Sequence, residues 1–170
     1  MSHVLTLWNE LPFEEAAKQI LSCCGSTAWA RALAGRRPLT DEASLLAASS
    51  EIWGSASVDD WLEAFASHPR IGERKAPPAA SAQSAAWSAQ EQSTAASPGD
   101  DVSAALAVGN RQYERRFGRV FIICATGKSG PEILENLRRR LGNDPATELR
   151  EAAEEQRKIT NLRLKKWLSA

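Results

Sequence analysis

Residues 143–170 read NDPATELREAAEEQRKITNLRLKKWLSA. Asp144 followed by Pro145 is a helix-start signal, because a first-turn proline lacks only an N–H that has no intrahelical partner there. At 100° per residue, one stripe of the run collects Leu149, Ala152, Ala153, Gln156, Ile159, Thr160, Arg163 and Trp167. The pattern predicts a helix running nearly to the end of the sequence, with one inward face. Helical periodicity of this kind dominates the chain and sets the fold class.

Working outward, "SGPEILENLRRRLG" repeats the logic, with Pro131 in the first turn and Gly142 as a stop. "DVSAALAVGNRQYERRFG" is helical and ends at Gly118. In "LPFEEAAKQILSCC", Phe13, Ala16, Ala17, Ile20, Leu21 and Cys24 recur at helical spacing. A short helix is expected around Trp29, stopping near Gly35. Another runs from Thr40 or Asp41 to about Trp53. "SVDDWLEAFASHP" opens close to a capping box, Ser57 with Asp60, and Pro69 should end its helix near His68. Residues 72–80 read as loop, "SAQSAAWSAQEQ" as helix and "ASPGDD" as a break. "VFIICA" (120–125) is the one strand-like run, but periodicity cannot separate a strand from a buried extended segment or part of a helix in so short a stretch. The expected architecture is all-α: one domain over residues 1–170, a bundle of about eight helices with one short extended segment.

Composition narrows the function. The 170 residues carry 21 Lys+Arg against 21 Asp+Glu, a formal net charge of zero. That argues against a strongly basic nucleic-acid binder and against a polybasic membrane anchor. No run approaches the roughly twenty apolar residues of a membrane span. The start "MSHVLTLWNE" has no basic region followed by a long apolar one, so no signal peptide is expected. "LRRR" (137–140) reads as a solvated helix face. The cysteines, Cys23, Cys24 and Cys124, fit neither a disulfide framework nor a metal pattern, and buried free thiols are the simplest account.

Three polar residues stand in odd places. Arg163 falls on the inward stripe of the last helix, where it must find a partner or line a cavity; a rim arginine or structural ion pair is the plain account. Glu91 lies four residues after Trp87 and shares its face, with Ser88 and Gln92 in a parallel row; a solvated glutamate beside a partly buried tryptophan is the plain account. His68, the chain's only histidine besides His3, precedes Pro69 at a helix end. It is either a helix cap or an imidazole aimed into a cleft as a general acid or base. Spacing alone cannot show that the three meet. No nucleophile elbow, Walker loop, dinucleotide glycine motif or metal-ligand cluster competes with them.

The same residues carry a resemblance. "AFASHPRIGE", "WSAQEQ", "YERRFGRVFIICATGKS" and "EEQRKITNLRLKKWL" resemble the 2-oxo-4-hydroxy-4-carboxy-5-ureidoimidazoline (OHCU) decarboxylases of urate degradation, and "WNELPFEEAAKQILSCCGSTAWARAL" with "GRRPL" resemble that family's N-terminal part. The resemblance implies an all-helical fold, a homodimer, no metal or organic cofactor, OHCU as substrate and (S)-allantoin as product. Carried over by motif, His68, Glu91 and Arg163 are the catalytic matches. Pro69, Ser88 and Gln92 match ligand-contacting positions, as do Phe121, Ile123, Cys124, Ala125, Thr126 and Gly127 of the extended segment. The loops "ERKAPPAASAQSAA" and "STAASPGDD" differ among relatives, so no lid is carried over. The sequence ends "LSA" rather than in a peroxisomal Ser-Lys-Leu signal, which fits a cytoplasmic setting. Two other readings stand beside this one: a helical interaction module without activity, and a decarboxylase of a related ureido acid.

Overall fold

The structure is a computed structural model that describes residues 2–73, 77–93 and 99–170. Parts of the expected loop (74–76) and of the expected break (96–98), with the two residues before that break, lie outside the described residues. Among those described there are nine helices: α1 His3–Glu10, α2 Phe13–Leu21, α3 Thr27–Ala34, α4 Glu42–Gly54, α5 Val58–Ala66, α6 Ala82–Glu91, α7 Asp100–Phe117, α8 Gly130–Arg140 and α9 Pro145–Leu168. The all-α expectation of about eight helices holds, with nine among the described residues.

The additional helix is α1. Its eight residues have no side-chain N-cap, and two β-branched residues weaken its propensity. Contacts distant in sequence hold it. Leu5 and Trp8 are buried. The Trp8 indole packs edge-on against Trp167 with centroids 5.7 Å apart, and its Nε1 donates to the Ala16 carbonyl at 2.9 Å. Arg37, from the GRRPL stretch, lies over the Trp8 ring and donates to the carbonyls of Trp8 (2.6 Å) and Leu11 (2.8 Å), satisfying acceptors that a helix end leaves open.

The other helices start and stop where local chemistry predicts. Asp41 and Ser44 form a full capping box on α4, and Ser129 with Glu132 forms another on α8. Ser57 and Asp60 bond reciprocally at the start of α5. Asp144 accepts from the Ala146 and Thr147 amides as α9 begins. Gly118 ends α7 with φ 71°, in the left-handed region that favours glycine.

The chain divides into two compact units, with boundaries inside α5 and α9. The first comprises residues up to Ala64 and Arg157–Ala170. There α3 packs on both α2 and α4, and Leu5, Trp8, Ile20, Trp29, Leu33, Leu45 and Leu164 are fully buried. Burying each large apolar side chain stabilises by about 1.5–3 kcal/mol.

The second unit is Phe65–Gln156. Here α7 packs against α8 so closely that a Cβ on Gly109 would stand 2.6 Å from Leu137 Cδ2. The core joins Leu106 and Tyr113 of α7 to Ile133, Leu134 and Leu137 of α8, with Phe121, Ile123 and Ala125 from the intervening segment. That segment, the ambiguous VFIICA run, is neither helix nor strand, and its residues 121–125 are buried. Three of its polar backbone groups are met by charged side chains instead of a sheet. Arg140 Nη1 donates to the Ile122 carbonyl at 2.6 Å, Glu155 Oε2 accepts the Cys124 N–H at 2.8 Å, and Lys128 Nζ donates to the Cys124 carbonyl at 2.7 Å.

Arg140 corrects the reading of LRRR as a solvated face. Arg138 and Arg139 are exposed, but Arg140 is buried. Its guanidinium forks onto Glu148, with Nε 3.0 Å from Oε1, and lies over the Phe121 ring at 4.5 Å. Glu148 also accepts from the Tyr113 hydroxyl at 2.6 Å and from Asn143 Nδ2 at 2.9 Å. The buried charge is therefore paired and its remaining lone pairs are used, which is what makes such burial tolerable.

Candidate functional site

Helix α5 delivers His68. Its last turn closes with the His68 amide donating to the Phe65 carbonyl at 3.1 Å, and Pro69 then fixes the backbone. The following residues are held from three directions. Arg70 makes a fork onto Glu114, with Nη2 2.9 Å from Oε2. Asn110 Nδ2 donates to the Ile71 carbonyl at 3.0 Å, and the Gly72 N–H donates to Gln92 Oε1 at 3.0 Å. Gly72 has φ 87°, so this tight turn favours glycine. The imidazole is 7% exposed, and its Nε2 lies 2.6 Å from Gln156 Oε1. His68 is therefore a buried imidazole rather than a solvent-facing one.

Helix α6 carries Glu91 and Ser88. Ser84, Ser88 and Glu91 are all buried, spaced four and three residues apart on one stripe. The inward face of α6 is thus polar, whereas Trp87 is only half-buried. With 7% exposure, Glu91 is no solvated glutamate, and the plain account of it fails. Its charge is felt at the Cys124 thiol of the extended segment, where burial, the largest influence, raises the thiol pKa and Lys128 partly offsets it.

The remaining matches in this unit fall into two groups. Phe121, Ile123 and Ala125 join the apolar core, and Cys124 is buried between charged groups. Thr126 and Gly127 are exposed as the segment turns toward α8, and Gly127 has φ 77°. Pro69 and Gln92 are half-buried. Within this unit the structure links His68 to Gln156, Cys124 to the neighbouring Glu155, and Glu91 electrostatically to Cys124.

Arg163 belongs to the first unit. It is fully buried on α9, so the rim-arginine account fails for it too. Its Nη1 is 3.4 Å from the Ser22 carbonyl. Its positive charge lowers the pKa of Cys23 and Cys24, yet burial dominates and pushes both thiols up, Cys24 to about 12. All three cysteines are free and buried, as expected. Among the described residues there is no cluster of His, Cys, Asp and Glu fit to hold a metal ion. No described helix is long and apolar enough to cross a membrane.

Sequence reasoning missed Glu155 and Gln156 as supports of the site. Gln156 stood on the inward stripe of α9, a signal for burial, but its partner lies 88 residues away. Glu155 showed no signal beyond its place beside Gln156.

The chain matches the family described as OHCU decarboxylase over residues 9–165. It is 40% identical over 148 residues to the uric acid degradation bifunctional protein TTL of Arabidopsis thaliana, covering 86% of this chain and 45% of that protein. With the 2-oxo-4-hydroxy-4-carboxy-5-ureidoimidazoline decarboxylase of Amia calva it shares 53% identity over 55 residues, 32% of this chain and 31% of that protein. The chain thus spans less than half the length of these curated relatives. The crystal structure of OHCU decarboxylase in the presence of (S)-allantoin resembles it with a TM-score of 0.77 and 38% identity, covering 89% of this chain and 98% of that one. With its motifs, its helical fold and a family match across most of its length, the chain belongs to the OHCU decarboxylase family.

Proposed function

We propose that this chain decarboxylates OHCU to (S)-allantoin, a step of urate degradation, without metal or organic cofactor. The observation that carries the reading is the burial of an imidazole and a carboxylate, His68 and Glu91, within the HPRIGE and WSAQEQ stretches that carry the resemblance. The same reading takes residues 1–170 as one catalytic domain that works as a homodimer in the cytoplasm.

The substrate accounts for the absence of a cofactor from the proposal. Its carboxylate sits on a ring carbon that also bears a hydroxyl and adjoins a C=N bond. As the bond to CO2 breaks, its electron pair forms a ring C=C and the imine electrons pass to the ring nitrogen, which takes up a proton. The substrate is its own electron sink. The enol-like intermediate then loses its hydroxyl proton to become a carbonyl, while the carbon bearing the ureido group gains a proton on one face. That facial choice sets the (S) product.

In this scheme His68 moves the proton at the ring hydroxyl. Glu91 accepts hydrogen bonds from ring or ureido N–H groups and relays a proton. Arg163 binds a carbonyl oxygen. A tight grip of Arg163 on the departing carboxylate is disfavoured, because it would stabilise the charged ground state more than neutral CO2. Pro69, Ser88, Gln92 and the segment residues Phe121 and Ile123–Gly127 complete the substrate contacts in this reading.

The test is circular dichroism on OHCU generated from urate in situ. Rapid growth of the (S)-allantoin signal is expected with the protein, and its loss with folded His68→Ala, by about a hundred- to ten-thousandfold in rate. Slow decay to racemic allantoin in the presence of folded wild-type protein would overturn the reading.

A further inference from the structure

We infer that Gln156 is a positioning residue for His68: its side-chain carbonyl fixes the imidazole with the hydrogen on Nε2, leaving Nδ1 as the nitrogen that carries the transferred proton. The inference deepens the proposed function and rests on it.

The geometry is specific. Nε2 and Gln156 Oε1 are 2.6 Å apart, and both side chains are buried. An amide oxygen only accepts, so Nε2 must donate. In the neutral ring the lone pair then belongs to Nδ1. Removing the amide would leave the buried Nε2–H without this acceptor.

The support is itself held in place. Gln156 is fully buried on α9, a 24-residue helix that gives its side chain a rigid origin. The adjacent residue, Glu155, accepts the Cys124 N–H at 2.8 Å. Two consecutive residues of one helix therefore fix two separate parts of the candidate site in the second unit, the imidazole and the extended segment. The His68 backbone is fixed independently, by Pro69 and by the Asn110 and Glu114 contacts to the residues after it. The Gln156 contact adds a constraint on the ring itself.

The chain has only two histidines, so the ring can be observed directly. In 15N-labelled protein, with His3→Ala to assign the signals, long-range 15N–1H correlation should show Nε2 protonated, with an exchange-protected proton. Gln156→Met preserves length and removes the acceptor. It should lose the protected proton and lower kcat about a hundredfold, the scale of a misplaced reacting group, with KM close to wild type. Gln156→Glu keeps an acceptor; it should retain the protected proton and most of the turnover, a rescue that a merely space-filling role would not require. An active wild type with its proton on Nδ1, or a folded Gln156→Met variant with wild-type kcat, overturns the inference alone. A wild type with the protected Nε2 proton but no decarboxylation overturns the functional reading, and the catalytic half of the inference with it.

Discussion

In the first unit, Trp8, Trp29, Trp53 and Trp167 are buried, with one fully buried arginine, Arg163, and the indole N–H groups of Trp8 and Trp29 bond to nearby backbone carbonyls. In the second unit, comparable depth is occupied by Arg140, Glu148, Glu155, Gln156, Glu91 and His68 beside the apolar cluster. The difference follows the backbone. Helices satisfy most of their own polar groups, so helices packed on helices can be filled with rings and aliphatic chains. The second unit carries two non-helical stretches, after His68 and after Gly118, whose N–H and C=O groups need partners from side chains. Arg140, Glu155, Lys128, Asn110 and Gln92 supply them. Arg37 at the end of α1, Asn9 at Leu39 and Arg163 at Ser22 do the same in the first unit, so the rule operates in both.

The comparison can be broken most directly at Arg140. Arg140→Met keeps much of the volume but strands Glu148 as a buried charge and leaves the Ile122 carbonyl without this donor. A loss of about 3–5 kcal/mol in urea unfolding is expected. A loss below about 1 kcal/mol, the range of an exposed ion pair, would show that polar burial is not what supports the second unit. Gly109→Ala should cost less, about 1–3 kcal/mol, because Leu137 must move to admit a methyl group; an unchanged urea midpoint would mean that α7 and α8 can separate freely. In the first unit, Leu45→Met, a swap of similar volume within an apolar core, should cost under about 1.5 kcal/mol. A cost equal to that of Arg140→Met would erase the distinction between the units.

The fold was legible because its signals are local. Capping pairs such as Asp41–Ser44 and Ser129–Glu132, and the stripe of α9, can be seen within a few residues. Helix α1 was not, because its stability comes from Ala16, Arg37 and Trp167 rather than from its own eight residues. The VFIICA run stayed ambiguous because the groups that hold it, Arg140 and Glu155, come from α8 and α9. Burial of Arg140 did leave a trace: it follows Ile133 and Leu137 at helical spacing, and a sharper reading of LRRR would have separated it from Arg138 and Arg139. Among the candidate residues, His68, Glu91 and Arg163 stood out as polar residues in odd places, and all three are buried. Their chemistry was legible only through the family resemblance, and the Gln156 partner of His68 was hidden by its distance in sequence.

The smallest effect tests where the polar network meets solvent. Glu151 bonds to Arg139 and to Asn143, with Asn143 Nδ2 at 2.9 Å, and is about one-quarter exposed. The hydrogen bond from Arg139 is the main cause that holds its carboxyl below the ordinary range, with help from Asn143. A carboxyl held low in the folded state favours folding above its unfolded pKa, near 4.3. That contribution is lost as the pH falls through the lower, folded value. Glu151→Gln should therefore lower stability at pH 7 by under about 1 kcal/mol, since Arg139 is largely in water and salt screens the pair. The gap between wild type and variant should narrow below pH 4 in urea melts taken across pH. A gap that is constant from pH 7 to pH 3 would show that Glu151 contributes through shape rather than charge, and would place the polar support of the second unit wholly in its buried members.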